Sequence, residues 1–210
     1  MASLTPAQDV LLFWFGPRPY APASVQQHSR LWFGAPSAPE LIPQTDELIR
    51  ERFAKLMRCA ESGELSAWDS SPRRRLALIV LLDQFSRHFY RGTARAYALD
   101  HQALSLSLSG MLHGADAALD PLERIFFYMP LQHAESLDVQ DESVAAFRRL
   151  LDEASAELRP TFEDALSSAV KHREIIARFG RFPHRNTVLE RRSTAEEADW
   201  LAQGGERFGN

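Results

Sequence analysis

Residues 73–90 read RRRLALIVLLDQFSRHFY, preceded by Ser71-Pro72 and followed by Gly92. A serine cap with proline at the first helical position opens a helix, and the glycine ends it. Within it, Leu76 to Leu82 is apolar on every face, the pattern of a helix enclosed by others. The run is far shorter than the roughly 18 to 20 apolar residues a membrane span requires. It is therefore the axis of a core around which the rest of the chain is wound.

The flanking sequence supplies the winding. Ala and Leu together number 55 residues, Val, Ile and Thr together 19, and Gly only 10. That balance favours helix formers over strand formers almost everywhere. Thr5-Pro6 opens a first helix and Gly16 closes it. Residues 17–44 are Pro-rich, with five prolines between 17 and 40, and read as an irregular arm pinned by Trp32 and Phe33. A helix is predicted from about Thr45 to Glu61, with Leu48, Ile49, Phe53 and Leu56 as its apolar stripe. Thr93 begins another, running to about His113. Asp120-Pro121 begins the next, which Pro130 must kink because it cannot donate to the carbonyl of Phe126. Val139 to about Glu157, then Thr161 to Phe179 with Gly180 as its stop, continue the series. Thr194-Ala-Glu-Glu197 is a capping box for a short C-terminal helix. The chain reads as one all-α domain over residues 1–210, about seven or eight antiparallel helices joined by short turns.

The 210 residues carry a formal net charge of -4. This acidic balance argues against a nucleic-acid binder, for which a basic domain is expected. One cysteine, Cys59, leaves no disulfide framework, and the N-terminal stretch MASLTPAQDVLLFWFG has no basic region ahead of its short apolar run. A cytoplasmic location is the expectation, with neither membrane nor nucleic acid as partner.

Polar residues sit in three awkward places. Asp83 and Gln84 directly follow the apolar segment, and Asp83 stands four residues before Arg87, on one helix face. Such a carboxylate is either half of a structural ion pair or an acid in a ligand cleft. His133 shares a stripe with Phe126, Met129 and Leu137, with Glu135 close behind. His172 lies within the stripe Phe162, Ala165, Ala169, Ile176, Phe179. Each imidazole is a satisfied core histidine or a proton donor and acceptor tuned by burial and a carboxylate. Neither has a second histidine three or four residues away, so no metal site and no cofactor is expected.

The densest charge is RFGRFPHRNTVLERR, residues 178–192, with a formal charge of +4. Gly180 and Pro183 make a compact turn that can converge guanidinium groups on one space, to hold an anion or to pair with acids of preceding helices. His28, His88, His101 and His113 have no such company and read as surface residues. Trp14, Trp32, Trp68 and Trp200 read as core or arm anchors.

LALIVLLDQFSRHFYRGTARAYALD at 76–100, ERIFFYMPLQHAES at 123–136 and ARFGRFPHRN at 177–186, after VLLFWFG at 10–16, resemble the bacterial DUF924 family of uncharacterised proteins. The likeness spans nearly the whole chain. The resemblance implies a right-handed, tetratricopeptide-repeat-like superhelix of hairpins, and it brings no activity or catalytic residues with it. Two departures stand out. Ala35 to Pro43 replaces a compact approach to the Asp46 helix, and Glu190 stands where the family pattern puts glycine.

Two functions remain open on these residues. One is a binding module, taking a peptide, a partner protein or a small anionic ligand through Gln84, Arg87, Arg178, Arg181, Arg185 and Asn186. The other is an enzyme acting on a small phosphorylated or carboxylated metabolite, with Asp83, His133, Glu135 and His172 as candidate catalytic groups. Both require these distant residues to be gathered into one interior locale.

Overall fold

A computed structural model describes residues 4–33 and 41–208 of the chain; Ala35 to Glu40 of the predicted departure lie outside the described residues. The described residues contain helices and no strand. Helix α1, Pro6–Phe15, is capped by Thr5 and Gln8 reciprocally, and Gly16 ends it at φ 79. The central stretch forms α4, Pro72–Ile79, then π-helical turns over Val80–Phe85, then α5, Ser86–Phe89. Every residue from Leu76 to Ser86 is buried, as its all-round apolar pattern requires.

Two expectations change. The arm of residues 17–44 contains a helix, α2, Pro22–Phe33. Pro22 sits at its start, where a missing N–H costs nothing, and no proline or glycine interrupts residues 23–33. Trp32 anchors α2 as expected, its indole Nε1–H donating to the Trp14 carbonyl at 2.7 Å. Helix α3 begins earlier than predicted and runs Leu41–Glu61; its stripe holds Ile49, Phe53, Met57 and Ala60, while Leu48 is 51% exposed.

A 3₁₀ turn at Ala94–Tyr97 precedes α6, Asp100–Leu112. Helix α7, Pro121–Gln132, carries the predicted Asp120/Glu123 capping box and the internal Pro130. Helix α8 is Leu137–Glu153, shorter than predicted, and α9 is Arg159–Phe179, with Pro160 in its first turn and Gly180 left-handed at its end. Thr194 and Glu197 cap α10, Ala195–Ala202. Helices α6, α7, α8 and α9 pack each against the next, and α4 lies against α1, α6 and α7.

The core is aromatic where α1, α2, α3, the π turns and α7 meet. Trp14, Phe15, Trp32, Phe53, Phe85 and Phe126 form edge-to-face and tilted pairs with centroids 4.9 to 6.1 Å apart. Trp68 is buried too, but Trp200 is only partly so. Gly110 of α6 lets α4 and α7 close in: a Cβ there would run into the Phe127 ring and lie 2.9 Å from the Arg75 guanidinium.

Candidate functional site

The π turns matter first, because they set where the central helix points its polar side chains. Hydrogen bonds of the i→i+5 kind widen the coil and shift all later residues around the axis, a feature recurrent at functional sites. Asp83 and Gln84 lie within these turns, and Arg87 follows on α5. Asp83 is fully buried, with Oδ1 3.4 Å from an Arg87 Nη. The expected Asp83–Arg87 pair is therefore real, but both residues have further partners. Arg87 makes a bidentate pair with Asp100 at 3.0 and 3.1 Å and donates to the Asp83 carbonyl.

His133 comes from the end of α7, fifty residues away, and its Nδ1 lies 2.7 Å from Asp83 Oδ1. The turn that presents it is held by two side chains that cap exposed carbonyls. Gln140, buried on α8, donates to the carbonyls of Leu131, Gln132 and Ala134 at 2.7 to 3.3 Å. Arg185 donates to the carbonyl of His133 itself at 3.1 Å. This is how a helix terminus stays ordered in a protein interior.

The electrostatics fix the protonation states. Burial opposes charge on Asp83, but His133, Arg87 and the donor from Gln84 outweigh it and hold its carboxyl well below the usual range. For His133, burial and then the Arg87 charge push the pKa below the ordinary value, with Asp83 pulling the other way. An ionised carboxylate can only accept, so Nδ1 of His133 carries the proton and donates. Its Nε2 is then a bare lone pair, without a protein partner among the described residues.

His172 on α9 is 4% exposed, and its ring lies 6.0 Å from that of His133. Its Nδ1–H donates to the Ser168 carbonyl at 2.8 Å, and burial followed by nearby His133 lowers its pKa to about 3. Burial and Arg185 do the same to His184, also to about 3. The Phe208 ring stacks on His172 at 3.6 Å between centroids.

Arg185 completes the constellation. It is 6% exposed, and its guanidinium lies between the rings of Tyr97 and Phe182, 4.6 and 4.4 Å from their centroids. Its nearest carboxylate, Asp100, is 3.5 Å away and already engaged by Arg87. Its Nε is buried without a partner, and Nη2 has none among the described residues.

These groups surround one cavity of about 470 Å³. Gln84, Arg87, His133, His172, His184 and Arg185 line it, and Gln132 and Ser168, joined by a 3.1 Å hydrogen bond, add polar wall. Trp32, Phe33, Leu41, Ile42 and Met129 make the apolar side. His88 and Arg91 also line it, both bonded to the buried Asp46 at 2.7 to 2.9 Å, so His88 is not the surface residue it reads as. Asp46 had a legible signal: it stands three and seven residues before the core positions Ile49 and Phe53. Tyr97 and Asp100, in and after a 3₁₀ turn, carry no periodicity that would flag them.

Four expected members lie elsewhere. Arg181 pairs with Glu197 at 2.7 and 2.8 Å and pulls its pKa to about 2; Asn186 reaches the same carboxylate at 3.3 Å. Arg178 pairs with Glu196 at 2.9 Å. Glu135 accepts two hydrogen bonds from Arg191 and one from the Phe182 backbone. None of the four lines the cavity. Arg178, Arg181 and Arg191 of the basic run tie α10 and the turn after α9 to the body, because the first turn of α10 and the turn between α7 and α8 bring acids within reach of these guanidiniums. No group of three or more potential metal ligands gathers among the described residues, and no helix there is long and apolar enough to cross a membrane.

The same architecture recurs in a solved structure of a protein of unknown function from Agrobacterium tumefaciens, which this chain matches at 32% identity and a TM-score of 0.76. The match covers 94% of this chain and 97% of that one. No curated protein matches the chain. The model of the family described as bacterial protein of unknown function, DUF924, matches residues 10–205. With nearly its whole length covered by that model, the chain belongs to the DUF924 family.

Proposed function

We propose that this protein binds a small anionic molecule in the cavity between α2, α3, α7 and α9. The observation that supports it is Arg185: a buried guanidinium held between two aromatic rings in the cavity wall, with its Nε unpartnered. A desolvated cation with unmet donors is costly by itself and is relieved by a carboxylate or phosphate. The cavity volume suits a metabolite, at the lower part of the roughly 300 to 1,000 Å³ range of such sites. A peptide partner is the weaker reading, because the polar groups converge on one cavity and do not spread along a groove.

A thermal-shift screen of small carboxylated and phosphorylated acids tests this, since a ligand that binds only the folded state stabilises it in proportion to its occupancy. Wild type is expected to be stabilised by at least one such acid, and Arg185→Lys, which keeps the charge but loses the planar fork, to lose most of that shift. A library that stabilises neither protein, or both equally, would refute the reading. The enzymatic alternative is favoured by a separate observation, the Asp83–His133 pair, whose chemistry is developed next.

A further inference from the structure

We infer that His133 is a general base for hydrolysis of a small acyl ester bearing a carboxylate, with Asp83 as its positioning residue. This inference rests on the anion-binding reading of the same cavity. The geometry carries it. Asp83 fixes the ring through Nδ1 at 2.7 Å, and Gln140 and Arg185 fix the turn that holds the ring, leaving Nε2 to take a proton from whatever occupies the cavity. Burial and the neighbouring arginine keep that nitrogen unprotonated at neutral pH. A carboxylate orienting one imidazole nitrogen so that the other acts as base is a recurrent arrangement for activating a nucleophile.

The same geometry selects the reaction class. Phosphoryl transfer passes through a loose transition state in which catalysis is mostly positioning and charge stabilisation. Attack of water on an acyl carbon builds charge on the attacking oxygen, and there a base is useful. In the step proposed, Nε2 of His133 takes a proton from water as its oxygen bonds to the ester carbonyl carbon. The C–O bond of the resulting tetrahedral intermediate then breaks, and the imidazolium returns the proton to the departing oxygen. One water is consumed, an acid and an alcohol form, and nothing is oxidised or reduced. Arg185, in the cavity wall, attracts the carboxylate handle by its charge, and Trp32, Ile42 and Met129 face the apolar remainder.

The experiment uses the full chain with the 4-nitrophenyl monoester of succinate, the 4-nitrophenyl ester of acetate as the handle-free control, and succinate as the non-reacting probe of binding. After subtraction of the protein-free rates, which the succinate ester's own carboxylate raises by intramolecular attack, wild type is expected to hydrolyse the succinate ester at least tenfold faster than the acetate ester, and more slowly in heavy water. His133→Gln is expected to lose roughly 100-fold in kcat, the usual contribution of a general base, while keeping the melting-temperature rise given by succinate. Turnover by His133→Gln within twofold of wild type overturns the inference. So do equal wild-type rates in light and heavy water, a result that does not depend on the variant folding. A wild type that succinate stabilises but that hydrolyses neither ester overturns the inference alone and leaves the binding reading standing. No turnover, together with no stabilisation by any acid in the library, overturns both.

Discussion

Glu190 adopts φ 55 without being glycine, in the exposed turn after Arg185. A side chain there crowds the following carbonyl at a cost of about 1–2 kcal/mol, part of which glycine gives back as unfolded-chain entropy. Glu190→Gly is accordingly expected to stabilise by about 0.5–1 kcal/mol, read as a raised denaturation midpoint with unchanged slope. A fall in the midpoint would mean that the carboxylate contributes more than the backbone loses. The departure from the family pattern at this position was visible in the sequence, and the positive φ is its physical meaning. Legibility at this scale followed sequence distance. Asp83 and Arg87 sit four apart, and their pairing could be read directly; the Asp83–His133 bond joins residues fifty apart, and nothing local announces it. The basic run is the opposite case. Its charge density was plain, but the acids that neutralise it, Glu135, Glu196 and Glu197, were set by tertiary packing.

Among elements, helices were legible wherever caps and stops bounded a clean period, as in α1, α7, α9 and α10. Helix α2 was hidden because prolines on both sides of it suggested a continuous irregular arm. The π turns were hidden too, since hydrophobicity on every face removes the periodicity that would show a change of winding. Close approach between elements is the other thing composition conceals. Gly110 is buried where α6 meets Phe127 of α7 and Arg75 of α4, and both neighbours are themselves buried and unable to withdraw. Gly110→Ala is expected to destabilise by about 1–3 kcal/mol, as overpacking of a filled core does, despite alanine's better helix propensity. Denaturant titration gives the sign, and a stabilised variant would mean that α6 is free to shift outward.

For the whole molecule, the buried imidazoles set the acid response. His172 faces His133 of α7, Ser168 of its own helix, and His184, Arg185 and Phe208 from the segments beyond, and its pKa falls from 6.5 to about 3. Folding therefore holds a proton off a group that the unfolded chain would protonate. Stability is complete above pH 6.5 and declines as pH falls from there toward 3, by at most about 1.4 kcal/mol per pH unit from this residue. His184, shifted the same way, adds to the slope. Asp46 and Glu197, both lowered to about 2, add a later loss below pH 4. Melting curves across pH 4 to 7 are expected to show a steep decline in wild type and a shallower one in His172→Gln; parallel curves would place the acid sensitivity elsewhere.

The cavity wall begins at Arg30 and is finished only at Phe208. Either half of the chain thus holds only part of the wall that encloses the binding space. A nascent polypeptide still lacking α9 would be well coiled yet chemically blind, and two complementary fragments that reassemble should regain helicity before they regain any hold on a small molecule.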